Sequence, residues 1–203
     1  MSNETGASIV ETFRYVRSIH RNVSRLLMSA DVLLSEYGLL PYEGWSASYP
    51  LTTFRATAPD EWLAEYFIRQ FRVRGKKDGG IVTVGVVLMP PERFSEVPVC
   101  FASSMAVRRE PNAVYTLSAS QVAARGHPPD GVVRTVHAGD LETDWFTSAD
   151  VASFKELIID DRVTSVAVPL MTVNSSVELE SLVIKPLMRQ LAADSAALGS
   201  TGS

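Results

Sequence analysis

The residues of this sequence best suited to acid–base or metal chemistry lie around one short acidic segment. Asp140, Glu142 and Asp144 alternate along the chain, and His137 precedes them. Alternating carboxylates in a loop supply the oxygen ligands that a hard cation prefers. A calcium-binding loop starting at Asp140 would need glycine at its sixth position and glutamate at its twelfth, where this chain has tryptophan and valine. We therefore interpret these residues as solvated loop acids, and we expect neither a metal nor another cofactor.

The other groups that could act as nucleophiles or bases are few. Cys100 is the only cysteine and lies in an apolar run, so we expect a buried, unreactive thiol and no intramolecular disulfide. His20 falls on the apolar side of a predicted helix, where a packed or partner-facing role is expected, and His127 precedes two prolines. The local glycine, serine, histidine and cysteine motifs of common enzymes are missing. We expect no catalytic residue, although a site assembled from distant residues would leave no such motif.

Arginine and lysine form two groups that could contact a partner or an anion. One is a stripe on the first predicted helix, and the other is a cluster around a predicted hairpin tip. The planar guanidinium fork suits phosphate and carboxylate equally, whereas the alternative interpretation of both groups is a solvated, charged face. Binding of nucleic acid through both would require them to share one face of the protein. The candidate contact residues are Arg14, Arg17, Arg21, Arg25, Arg72, Arg74, Lys76 and Lys77.

The element that must position the stripe is a long amphipathic helix over residues 8–37. Its apolar side chains recur at spacings of three and four, which places them on one side of a helix. Gly38 and Pro41 follow the last periodic residue and predict its end. The apolar side comprises Ile9, Phe13, Val16, Ile19, His20, Val23, Leu26, Leu27, Ala30, Leu33, Leu34 and Tyr37.

A run of strands is predicted to follow. Residues 66–74 alternate in polarity and favour a strand, with a longer helix through Arg72 as the alternative, and residues 81–89 are rich in β-branched side chains. The two segments predict a hairpin. Further strands are expected at 49–56, 97–107, 113–118 and 132–137, and another at 163–173, where Pro169 suits an edge. Strands joined by such short glycine- and proline-rich turns predict an antiparallel meander.

Three further helices are predicted from capping patterns. Short helices are expected at 59–65 and after Thr147. Ser175 and Glu178 form a capping box ahead of a C-terminal helix, in which Pro186 predicts a kink because proline cannot donate to the carbonyl of Leu182. The sequence thus predicts a single α+β domain over residues 1–195, in which an antiparallel meander sheet of five to six strands is covered by a long N-terminal helix and a C-terminal helix. Residues 196–203 are predicted to form a flexible tail.

Composition limits the class of protein more than its activity. The chain has 203 residues, 46% hydrophobic content and a formal net charge of −4, so a polyanion-binding protein is not indicated overall. Residues 1–77 have ten basic and eight acidic side chains, and residues 78–203 have nine and fifteen, which permits a basic N-terminal face. No apolar run approaches the roughly 20 residues of a membrane span. We expect a cytoplasmic protein with no membrane association.

The functional hypothesis rests mainly on the long helix. A helix longer than the sheet that it covers leaves apolar surface for a second copy or a protein partner. We therefore expect a non-catalytic interaction or assembly component of a larger intracellular complex. The alternative is an enzyme or binding protein that acts on phosphorylated or nucleic-acid ligands through the arginine-rich face, with His137 and Asp140 as the nearest acid–base candidates.

Overall fold

The computed structural model describes residues 3–42, 66–73, 79–88, 95–107, 128–137 and 158–200. These residues form a six-stranded antiparallel sheet with one helix at the N-terminal end of the chain and another at the C-terminal end. The predicted α+β class is thereby confirmed. The strands predicted at 49–56 and 113–118, and the short helices predicted at 59–65 and after Thr147, lie outside the described residues.

Helix α1 spans Asn3–Ser35, which corresponds to about 50 Å at 1.5 Å per residue. It begins earlier than predicted and ends two residues before Tyr37. The backbone N–H of Gly38 donates to the carbonyl of Ser35 at 3.0 Å, and Gly38 has a φ of +73°, a conformation that glycine adopts without steric cost. The predicted stop signal therefore acts as expected, and it turns the chain directly into the first strand.

The six strands pair antiparallel throughout, in the order β1-β2-β3-β4-β6-β5. The predicted hairpin is confirmed as β2 and β3, so the helical alternative for this segment is wrong. The first strand, β1, was not predicted, because its three residues are too few to show a period. The strands are β1 (Leu39–Pro41), β2 (Tyr66–Val73), β3 (Gly79–Val87), β4 (Val99–Val107), β5 (Arg134–His137) and β6 (Ile158–Pro169).

Strand β6 lies inside the sheet, between β4 and β5, and not at the edge that Pro169 suggested. Pro169 is its last residue, and the paired part of β5 reaches only Ser165. The N–H of Leu170 donates to the carbonyl of Pro98, on the β4 side. Because successive residues of a strand point to opposite sides, the nitrogen of Pro169 faces the side where β5 no longer pairs. Proline is tolerated here because no ladder bond is lost.

The C-terminal helix follows a 3₁₀ turn at Leu170–Thr172 and has three continuous parts. An α-helical turn, α2 (Ser176–Leu179), leads into a π-helical segment at Glu180–Ile184 and then into α3 (Lys185–Ser200). The N–H of Lys185 donates to the carbonyl of Glu180, which is the five-residue spacing of a π-helix. Where the sequence predicted a kink at Pro186, the structure has a π-helical segment just before the proline, in which the helix is wider. The backbone of α3 runs to Ser200, inside the segment predicted as a tail.

The main core lies between one face of the sheet and the two helices. It combines residues 23–34 of α1 with Phe67 and Phe71 of β2, inward residues of β3, β4 and β6, and Leu179 and Leu187 of the C-terminal helix. The second face of the sheet has its own buried cluster around Ile68 and Phe101. A side chain on Gly85 would meet the Phe101 ring at 2.6 Å, so glycine is needed there for that ring to lie against the sheet.

Candidate interaction surface on helix α1

The four arginines of the predicted stripe are all exposed on α1. Arg14, Arg17, Arg21 and Arg25 lie on the side opposite to the buried residues Val23 and Leu27. This is the arrangement that the spacing predicted. Within the described part of the chain, none of the four takes part in an ion pair. Their guanidinium groups are therefore available to an external carboxylate or phosphate.

Two basic residues of the hairpin are described, Arg69 and Arg72, and they point to opposite faces of β2. Arg69 points to the helix side of β2, where its guanidinium forms a bidentate ion pair with Asp31 of α1. Arg72 is three residues further along the strand and therefore points to the opposite face. There its guanidinium carbon lies 4.9 Å from the centre of the Tyr42 ring. Arg74, Lys76 and Lys77 lie outside the described residues.

The first part of α1 extends past the sheet. Every residue from 6 to 15 is exposed, including large apolar side chains of the stripe that the sequence predicted to be buried. Of the predicted stripe, Ile9 and Phe13 are 42% and 69% exposed, and outside it Val10 and Tyr15 are 49% and 69% exposed. Further along the helix, Ile19 packs against the core and the His20 ring meets Phe67 edge-on at 5.1 Å between centroids. His20 is accordingly a packed residue, as the more conservative interpretation held.

Beside α1 runs an open groove of about 500 Å³. One wall is the flank of α1 from Tyr15 to Ser29, and the other is the segment 170–176, which includes the 3₁₀ turn and the start of α2. The floor is apolar and the rim carries hydroxyl and amide groups. The lining residues are Tyr15, Ser18, Ile19, Asn22, Val23, Arg25, Leu26, Ser29, Leu170, Met171, Val173, Asn174, Ser175 and Ser176.

The start of α2 at this groove is already capped by the chain itself. The hydroxyl of Ser175 accepts from the N–H of Glu178 at 3.3 Å, and the carboxylate of Glu178 accepts from the N–H of Asn174 at 2.7 Å. The predicted capping box is confirmed in this form. A carboxylate therefore already occupies the helix start, which makes it a poor site for an external anion.

Of the candidates for acid–base chemistry beside the acidic segment, His137 alone lies within the described residues. His137 is exposed at the end of β5, opposite Arg162 of β6, and Arg162 pairs with Asp194 of α3 at 3.3 Å. This group of side chains is not enclosed. Asp140, Glu142, Asp144 and His127 lie outside the described residues. Burial raises the pKa of the Cys100 thiol to about 12, so the thiolate is not formed at neutral pH in the folded protein.

One polar feature was missed by sequence reasoning. Gln70, Thr83, Ser103 and Ser165 are paired side by side across four strands on the second face of the sheet, and all four are buried. Gln70 Nε2, Thr83 Oγ1 and Ser103 Oγ have no hydrogen-bond partner in the structure as described. Thr83 and Ser103 are 0% exposed, so a ligand from solvent does not reach them in this conformation. No single strand reveals such a row, because each contributes one residue.

The row ends at the sheet edge with Arg134, which is paired with Ser165. Its Nη1 donates to Oδ1 of Asp130 at 2.7 Å. This hydrogen bond, assisted by the backbone N–H of Val132, holds the pKa of Asp130 well below its usual range. The pair fixes the loop that enters β5, and both side chains are partly exposed.

Across the described ranges, no three His, Cys, Asp or Glu side chains cluster as a metal site would require. Among the helices described here, none combines the length and hydropathy needed to cross a membrane. No family model matches the sequence, and neither a curated protein nor a solved structure matches it.

Proposed function

We propose that this protein is a non-catalytic interaction component of a larger assembly, and that it binds a protein partner through the projecting part of α1. The observation that carries the proposal is the exposure of Ile9, Val10 and Phe13, which project within about 100° of one another on a helix that extends past its own sheet. Exposed apolar patches on a folded protein commonly mark interaction sites. A partner that covers these side chains would remove them from water, which favours binding by about 25 cal/mol per Å² of apolar surface before the costs of association.

The arginine stripe supports the same proposal as a polar border. Arg14 and Arg17 lie on the same turns as Phe13 and Tyr15, and they are exposed without an ion pair among the described residues. Rim charges contribute modestly to affinity, but they orient a partner and exclude partners of like charge.

A tagged full-length protein tests the proposal in quantitative capture experiments. Ile9→Asp combined with Phe13→Asp should abolish capture of partners that the wild type binds, because charge enters the centre of the apolar surface. Val132→Asp is the matched control, since Val132 is 52% exposed but lies beside β5, away from α1. If every protein captured by the wild type is captured equally by the double variant, the proposal is wrong.

The second candidate function is binding of a phosphorylated or nucleic-acid ligand through the same arginines. The specific observation in its favour is that four exposed guanidinium groups follow one side of a single helix. The salt dependence of the binding constant distinguishes the two candidate functions. The logarithm of a nucleic-acid binding constant falls by about 0.7 to 0.9 per phosphate neutralised for each unit of log salt, whereas an apolar interface is much less sensitive.

A further inference from the structure

We propose that the groove between α1 and residues 170–176 binds an amphipathic helix of a partner protein, with an acidic edge of that helix alongside Arg25, Arg21 and Arg14. This inference rests on the proposed function and specifies the partner. It differs from that function in location, because the groove begins at Tyr15, where the projecting part of α1 ends.

The dimensions of the groove match one face of a helix. It follows α1 from Tyr15 to Ser29, which corresponds to about 21 Å, or four helical turns. Amphipathic helices bind such grooves through apolar side chains at spacings of three, four and seven residues. A volume of about 500 Å³ accommodates the side chains of one such face and leaves the backbone of the helix outside.

Apolar contacts are available on both walls and on the floor. Tyr15 on α1 and Met171 on the opposite wall are 69% and 72% exposed, whereas Ile19 and Leu26 are half-buried between them. Tyrosine contributes a large contact area at a low entropic cost, and methionine adapts to partners of varied shape. A helix in the groove would cover both exposed side chains at once.

The positive charge beside the groove indicates that the bound helix carries negative charge on the side next to it. Arg25 lines the groove, and at 100° per residue Arg14 and Arg21 project within about 40° of it. The acids of the described segments make no ion pair with these three residues. A carboxylate-bearing helix supplies the missing charge. The α1 helix of a second copy would bring four more arginines to the complex, so an acidic helix of a different protein is favoured over a homodimer.

Peptide selection on the full-length protein tests this inference. The probe is a displayed library of peptides of about 16 residues, with leucines fixed at helical spacing and the other positions randomised. Selected peptides should carry Asp or Glu on one flank of the leucines. The same library selected on the variant Arg14→Glu/Arg21→Glu/Arg25→Glu should yield Lys or Arg on that flank.

Two matched variants locate the binding site. Arg25→Glu should weaken the selected peptides about tenfold or more, because Arg25 lines the groove. Arg189→Glu is the matched control and should change binding less than about twofold, because Arg189 is an exposed residue of α3 that does not line the groove. Asn22→Trp should also abolish binding, since its ring would fill the groove from an exposed position. Circular dichroism of each variant confirms that the fold is retained.

Several results would overturn the inference. The first group is no enrichment of helical peptides, no acidic flank, or equal losses for Arg189→Glu and Arg25→Glu. The second group is displacement of the peptides by a single-stranded oligonucleotide, or a homodimer that Asn22→Trp dissociates. Loss of native partners in the Ile9→Asp/Phe13→Asp variant but not in Asn22→Trp would refute the groove and leave the proposed function intact. Loss in neither variant would refute both.

Discussion

In α1, residues 23–34 and residues 6–15 repeat the same three-and-four spacing of apolar side chains, yet the first segment is packed and the second is in water. Leu27 and Leu34 are each 1% exposed, whereas Phe13 is 69% exposed. Asp31 ties the packed segment to Arg69 of β2. The difference shows that spacing fixes which side of a helix is apolar, while the extent of the sheet decides how much of that side is buried.

The projecting residues 6–15 are helical because the packed part of α1 supports them. An isolated helix of about ten residues is marginal in water, and most helices in proteins owe their stability to packing. Residues 6–15 therefore depend on the packed segment, which continues the helix toward its N-terminus. An apolar surface that is kept helical in this way is already ordered for binding, and it loses less conformational entropy when a partner arrives.

The largest expected effect is on the packed segment. Leu27→Ala should lower the free energy of unfolding by about 2–5 kcal/mol, because it removes a fully buried side chain and leaves a cavity. Phe13→Ala, a larger truncation on the same helix, should cost less than about 0.5 kcal/mol. Urea denaturation of both variants measures the contrast. If Leu27→Ala lowers the free energy of unfolding by less than ~0.5 kcal/mol, or if both variants lower it by similar amounts, residues 23–34 are no more important to stability than residues 6–15.

Cys100 provides an independent reporter of the same contrast. Its thiol belongs to the core cluster that contains Leu27 and is 0% exposed, so iodoacetamide reaches it only in molecules whose core has opened. Since 1.4 kcal/mol is tenfold in an equilibrium constant, Leu27→Ala should accelerate labelling by about 25-fold or more. Phe13→Ala should leave the labelling rate nearly unchanged. Mass spectrometry of iodoacetamide-treated protein measures both rates, and rapid labelling of the wild type would contradict the buried position of Cys100.

The ion pair between α1 and β2 is expected to have the smallest effect. A double-mutant cycle with Asp31→Asn and Arg69→Gln should give a coupling energy of about 1 kcal/mol, because side chains that are 28% and 17% exposed are only partly screened by solvent. The more exposed pair Asp130–Arg134 provides the comparison and should couple less strongly. If the two cycles agree, partial burial of the Asp31–Arg69 pair adds nothing to its strength.

Most of the fold followed from local patterns. The helical period of α1, the β-branched run of β3 and the capping box at Ser175 each act within a few residues of chain, and each appears where the sequence placed it. The position of β6 between β4 and β5 did not follow, because strand order depends on which edges meet after collapse. Pro169 suggested an edge, and the structure resolves this by placing it at the end of the strand, beyond its β5 partner.

Of the two walls of the groove, the sequence predicted only the one formed by α1. The exposed arginine side of α1 followed from residue spacing, and it also provides Arg25 of the groove. The opposite wall, around Met171 and Asn174, comes from residues about 150 positions away, and no periodicity connects them with α1. The exposure of Phe13 was equally hidden, because it depends on where the sheet ends.

The buried polar row on the second face of the sheet has a consequence for strand alignment. A slip of β3 by two residues would leave every side chain on its present face, so the alternation of polarity does not oppose it. Such a slip would, however, place Thr83 opposite Phe101 or Met105 instead of Ser103. It would also separate the hydroxyl groups of Thr83 and Ser103, which are now cross-strand neighbours and fully buried. The four polar residues thus distinguish the native register from its nearest same-face competitors, a distinction that a uniformly apolar face would not make.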